Sequence, residues 1–86
     1  MPTYYFHIKH VDGVVPDPDG ENFLDLDAAR EEASEALREL VARAILSNRA
    51  ELPQAIEIWD ADGYLVAEVY IDAAIPQIAR GNRADS

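Results

Sequence analysis

Residues 26–45 place apolar side chains at every third or fourth position, whereas the stretches on either side place them at every second. A period of two belongs to strands with one buried face, and a period near 3.6 to a helix with one buried stripe. The chain therefore reads as paired strands on both sides of one long helix. With 86 residues, 49% of them hydrophobic and 28% charged, it holds enough apolar material for a single folded domain and too much for a disordered segment.

The first alternating run is Thr3 to Lys9, with Tyr4, Phe6 and Ile8 on one face and Tyr5, His7 and Lys9 on the other. Asp12-Gly13 signals a tight turn into Val14-Val15, a run that Pro16 ends. So short a strand beside a proline suits the edge of a sheet. Residues 16–22, PDPDGEN, read as a turn-rich connection. Asp25 is placed to cap a helix that starts at Leu26. Leu26, Ala29, Ala33, Leu37, Leu40 and Ala44 form its stripe, widened by Ala36, Val41 and Ile45. Ser47-Asn48 marks its end. A third run, Ala55 to Asp60, turns through Asp60-Ala61-Asp62-Gly63 into a fourth, Tyr64 to Ile71. A short helical turn is expected at 73–78, within a domain of residues 1–79 and before a frayed tail at 80–86. The expected fold is α+β: ββαββ, a four-stranded antiparallel sheet in the order 2-1-3-4 with one long amphipathic helix on one face.

The stretch Pro2-Thr3-Tyr4-Tyr5-Phe6-His7-Ile8-Lys9 resembles the opening of a family of small bacterial proteins of unknown function, P-x-Y-[YF]-F-H-[IV]-[RK] followed by a D-G turn. The segment from Asp17 to Ala33 is similar to that family's D-x-x-G-x-x-[LF]-x-D-L-x-A-A-R-x-E-A, and Ile56 to Gly63 to its I-x-[IV]-x-D-x-x-G hairpin. The resemblance covers residues 2–71 and implies a shared domain without an assigned chemistry. A looser likeness links Gly20, Leu26, Ala29 and Ala33 to the D-x-x-G loop and L-x-x-A-x-x-x-A helix of the antitoxin halves of toxin–antitoxin pairs. It implies a regulatory partner. The sequence departs from that pattern in lacking the strand after the first hairpin and a separate DNA-binding segment.

Charge and composition exclude several chemistries. Seventeen acids against seven bases give a net charge of -10, which repels phosphate backbones and anionic lipid, so neither nucleic acid nor membrane is an expected partner. No run approaches the length of a membrane span, no signal peptide is read at the N-terminus, and a cytoplasmic location is expected. The absence of cysteine removes disulfides, thiolate nucleophiles and thiolate metal sites. Ser34, Ser47 and Ser86 lie in no nucleophile elbow, and the four glycines form no phosphate loop.

His7 and His10, three apart on a strand, point to opposite faces and do not share a metal. Asp17, Asp19 and Glu21 surround a glycine at the fourth position rather than the sixth that a calcium loop requires, so they read as turn residues, as do Asp60 and Asp62. No catalytic residue, metal ligand or cofactor is assigned.

A single helix covers one face of a sheet. Strict alternation would leave Tyr5, His7, Trp59, Tyr64, Val66 and Tyr70 on the other. Such a row serves either as cross-strand pairing on a wet face or as an interface. The leading expectation is a noncatalytic interaction module that self-associates, as a homodimer, through this face or an edge strand. The alternatives are an antitoxin-like regulator of a basic protein and a small-ligand binder with its pocket at a subunit interface.

Overall fold

The computed structural model describes residues 1–48 and 51–75. Its elements are β1 (Thr3–His10), β2 (Gly13–Val15), β3 (Glu21–Asn22), α1 (Leu26–Leu46), β4 (Ala55–Asp60), β5 (Leu65–Tyr70) and α2 (Ile71–Ala74). The sheet is antiparallel with strand order β2-β1-β4-β5, the order expected from the sequence. The two residues of β3, expected to be part of a turn, pair with the start of β1 through Thr3↔Asn22 and Tyr4↔Glu21. The tail expected at 80–86 lies outside the described residues. The short helix begins at Ile71, two residues earlier than expected, and the later part of the expected turn also lies outside them.

The ends of α1 are chemically set. The Asp25 carboxylate accepts the Ala28 N–H at 2.8 Å and satisfies one of the free amides of the first turn. At the other end Ser47 donates its N–H to the Arg43 carbonyl, and Asn48 takes a left-handed conformation (φ 59°) that turns the chain away. Asparagine tolerates that region better than most residues.

The buried stripe of α1 is Ala29, Ala33, Leu37, Val41 and Ala44. Ala33, Leu37 and Val41 meet Ile56 and Ile58 of the central strand β4, together with Ala74 of α2. Three alanines on one stripe keep the helix surface low. The exposed side is mostly charged, and it also carries Ile45, which the periodicity assigned to the stripe but which is 63% exposed. Ile45 sits one position beyond Ala44, and the stripe has rotated past the sheet there.

Phe23 supplies a core contact that the sequence pattern did not show. It is buried at the entry to α1, stacks on Phe6 at 5.4 Å and tilts against Tyr4 at 6.2 Å.

Leu37 is fully buried and makes the central helix–sheet contact. Leu37→Ala should lower unfolding free energy by about 2–5 kcal/mol, the cost of lost transfer energy plus a cavity, measured by urea denaturation.

Candidate functional site

The helix-free face of the sheet is built by the odd-numbered residues of β1 and their partners. Tyr5 lies across from Trp59, and His7 across from Glu57, which in turn faces Glu68 of β5. A register shift between Ile58 and Trp59 changes the expected membership of this face. Ala67 pairs with Ile58, but Leu65 pairs with Trp59, so one extra residue is accommodated on β5. Val66, expected on the outer face, packs against the core cluster instead. Leu65 takes the outer position opposite Trp59 at 45% exposure. Tyr64 precedes β5 at the hairpin end and is 68% exposed, beside rather than within the row. Tyr5, His7, Trp59 and Tyr70 occupy the face as the alternation predicted.

The polar groups on this face are internally matched. Glu57 and Glu68 are direct cross-strand neighbours, an arrangement that like charges destabilise. Each is supplied with donors. Trp59 Nε1 donates to Glu57 Oε1 at 3.0 Å, and the Tyr70 hydroxyl donates to Glu68 Oε1 at 3.1 Å. Lys9 Nζ lies 3.6 Å from Glu68 Oε2 and 5.9 Å from the centre of the Tyr70 ring. The hydrogen bond to Glu68, and then its charge, push the Tyr70 phenol above its ordinary value. His7 tilts over Trp59 with ring centres 5.7 Å apart.

Behind His7 lies a second arrangement, unanticipated in the sequence reading. Between its pairings with β2 and β3, the outer edge of β1 has no strand beside it among the described residues. Asp17 fills the gap. Its Oδ2 accepts the Phe6 N–H at 3.1 Å, and its Oδ1 accepts the N–H groups of Asp19 and Gly20 at 3.1 and 3.3 Å. The Asp17 N–H donates to His7 Nδ1 at 3.0 Å. One residue thus replaces a rung of the sheet and folds the connection over it.

Partial burial is the largest single influence on the Asp17 carboxyl and pushes its pKa up. The three backbone donors and the nearby His7 together outweigh it and hold the group below the usual carboxylate value. These bonds also explain why residues 17–20 turn back toward β1: the Asp17 carboxylate that would face a cation is occupied by amides. Among the described residues, no group of three or more histidines and acids could hold a metal.

Gly20 makes the connection possible. Its φ is +72°, and a Cβ there would sit 2.7 Å from Tyr5 Cε2. The loop therefore lies directly on the outer-face tyrosine.

The sequence model of a family described as a domain of unknown function (DUF6894) matches residues 3–72. The chain belongs to this DUF6894 family. The match takes in β1, the Asp17 anchor, Gly20, α1 and the outer face, and it assigns the domain no chemistry. No curated protein and no solved structure matches the chain.

A pocket of about 470 Å³ lies elsewhere, between the end of α1 and the β1–β4 end of the sheet. Ile8, Leu40, Ala44 and Pro53 form its apolar wall, and His10, Arg43 and Glu51 its polar rim. None of the six outer-face residues expected from the sequence lines it, so it is not the aromatic-lined pocket of the ligand-binding alternative. Its rim mixes both signs of charge and selects no ligand class. No helix among the described residues is long and apolar enough to cross a membrane.

Two variants test the Asp17 anchor. Asp17→Asn should cost about 1–2 kcal/mol at neutral pH, at the low end for charged hydrogen bonds because the group is partly solvated. A carboxyl with a lowered folded-state pKa contributes stability above its unfolded value, about 3.9, and that contribution is lost as pH falls through the folded value. The difference between wild type and Asp17→Asn should therefore shrink below about pH 4, read from urea midpoints across pH. Gly20→Ala should destabilise by about 1–3 kcal/mol through positive φ and the clash with Tyr5, and circular dichroism melts would report it.

Proposed function

We propose that this domain is a noncatalytic interaction module whose copies associate by burying their outer sheet faces against one another. The observation that carries the reading is the row Tyr5, His7, Trp59, Leu65 and Tyr70 on the face opposite α1. Aromatic residues with polar tips suit interfaces, where one end of the side chain is dry and the other can be satisfied.

The treatment of charge on the face supports the same reading. A carboxylate carried into an interface without a partner is costly. Glu57 and Glu68 already hold donors from Trp59, Tyr70 and Lys9 of their own chain. Lys9 offsets one of the two charges, and each carboxylate has a donor from its own chain, which lowers the cost of covering them. An RNA platform would instead need positive charge among its aromatics, and here Lys9 stands against Glu57 and Glu68. A two-fold axis through the face makes the contact self-complementary, the commonest arrangement for a small homo-oligomer.

Regulation of a basic protein partner draws on net charge, small size and the loose likeness at Gly20, Leu26, Ala29 and Ala33, and ligand binding would use His7 and the tyrosines at a subunit interface. The face-to-face dimer is the reading that draws on the whole row.

Sedimentation equilibrium over a wide concentration range tests it. The wild type should dimerise, and more tightly at higher salt, because each copy carries a charge of -10 that salt screens. Trp59→Ala and Tyr70→Ala should each weaken association by roughly tenfold or more, the behaviour of central aromatic anchors. A wild-type chain that stays monomeric at the highest concentration would refute the dimer.

A further inference from the structure

We propose that His7 is a proton-operated latch on the connection between β2 and β3: protonation of its ring trades the Asp17 amide for a carboxylate and unfastens the backbone at Asp17 from β1. The geometry sets up the exchange. His7 Nδ1 accepts the Asp17 N–H at 3.0 Å, which requires a lone pair at Nδ1 and places the proton of the neutral ring on Nε2. A proton taken from solvent lands on Nδ1. The imidazolium then has two donors and no acceptor, and the Asp17 N–H faces another donor.

The charged groups around the ring decide where it turns. From the connection comes the Asp17 carboxylate, from β4 the directly opposed Glu57, and from β5 Glu68 beyond it. Against these three acids stands Lys9 on β1, which is paired with Glu68. Tyr5 and Tyr70 complete the titratable side chains of the face, and phenols gain no proton in acid. The Ile58 and Phe6 side of the sheet is apolar. The net field therefore favours an imidazolium that stays on the face. The Trp59 ring, 5.7 Å away, holds it there by attraction between cation and π-system. Glu57 is the directly opposed residue of the cross-strand pair, and in the proposed exchange the ring's new bond goes to its carboxylate.

The unlatching is local. Asp17 keeps its side-chain bonds to Phe6, Asp19 and Gly20 while its carboxyl stays ionised, and those bonds hold that carboxyl below the ordinary range. The only bond surrendered to the histidine is the backbone bond at Asp17, beside Pro16, which has no N–H to replace it.

The test uses the whole chain labelled with nitrogen-15, followed by NMR from about pH 8 to about pH 5, the interval in which histidines exchange protons. The His7 ring nitrogens report protonation. Hydrogen-exchange protection of the Asp17 amide, corrected for the intrinsic pH dependence of exchange, reports the latch. Protection at Asp17 should fall by roughly fivefold or more in step with His7 protonation, the net worth of one hydrogen bond, while the Phe6 amide keeps its protection. In His7→Gln, whose side-chain oxygen can accept without titrating, Asp17 protection should be flat across the same range. Flat Asp17 protection in the wild type through the His7 transition would overturn the latch. So would an equal fall in His7→Gln. Should that variant not fold, the wild-type titration alone decides. Because His7 also lies on the proposed interface, the titration is made at two concentrations, so that any protection due to association is read separately from that lost with His7 protonation.

Discussion

The contact between Leu37 of α1 and Ile56 and Ile58 of β4 is the one on which the rest of the structure depends. β4 is central in the sheet, bonded to β1 on one side and β5 on the other. A strand in that position is buried over its apolar face only if something covers it, and the single long helix does so. The alanines at 29, 33 and 44 keep the stripe narrow and smooth, so the larger Leu37 and Val41 reach the isoleucines. Among the described residues no element lies over the opposite face. The outer face is thus a consequence of how the core was assembled.

That face carries acids and aromatics in cross-strand register. Its acids sit against each other across the strands, and each is held by a donor from the same chain. Its aromatics pair within the sheet, His7 with Trp59 and Lys9 with Tyr70. The result is a surface that is apolar in body and internally satisfied in its polar tips, a combination compatible with burial by a second copy. Membership in the DUF6894 family covers nearly all of this architecture without assigning it a role, so the side chains themselves carry the functional argument.

His7 belongs to two systems at once. Its ring faces Trp59 on the outer surface, and its Nδ1 holds the Asp17 backbone at the sheet edge. The residues that stand out in the sequence as F-H and D-x-x-G are therefore mechanically joined: Phe6 and His7 receive Asp17, and Gly20 allows the loop to close over Tyr5. A motif that resembles a functional signature is accounted for by the hydrogen bonds of an interrupted sheet edge.

The sequence by itself determined the element types apart from the two-residue β3, the ends of α1 and the order of the other four strands. These follow from local rules: alternation for β1 and β4, a 3.6-residue period for α1, Asp25 as a cap, and Gly63 at a left-handed turn position with φ +87°. Most of the outer face was legible for the same reason, because period two assigns Tyr5, His7 and Trp59 without knowledge of the partner strand. Tertiary structure decided what depends on register and on distant neighbours. The shift between Ile58 and Trp59 exchanged Leu65 for Val66, since one extra residue in a ladder reverses the sides beyond it. Phe23 entered the core because Tyr4 and Phe6 offered it aromatic surface, and Ile45 was left outside because α1 had turned past the sheet. Asp17 became an anchor because β1 has an unpaired stretch of edge between β2 and β3, and such a gap exists only once the strands are assembled.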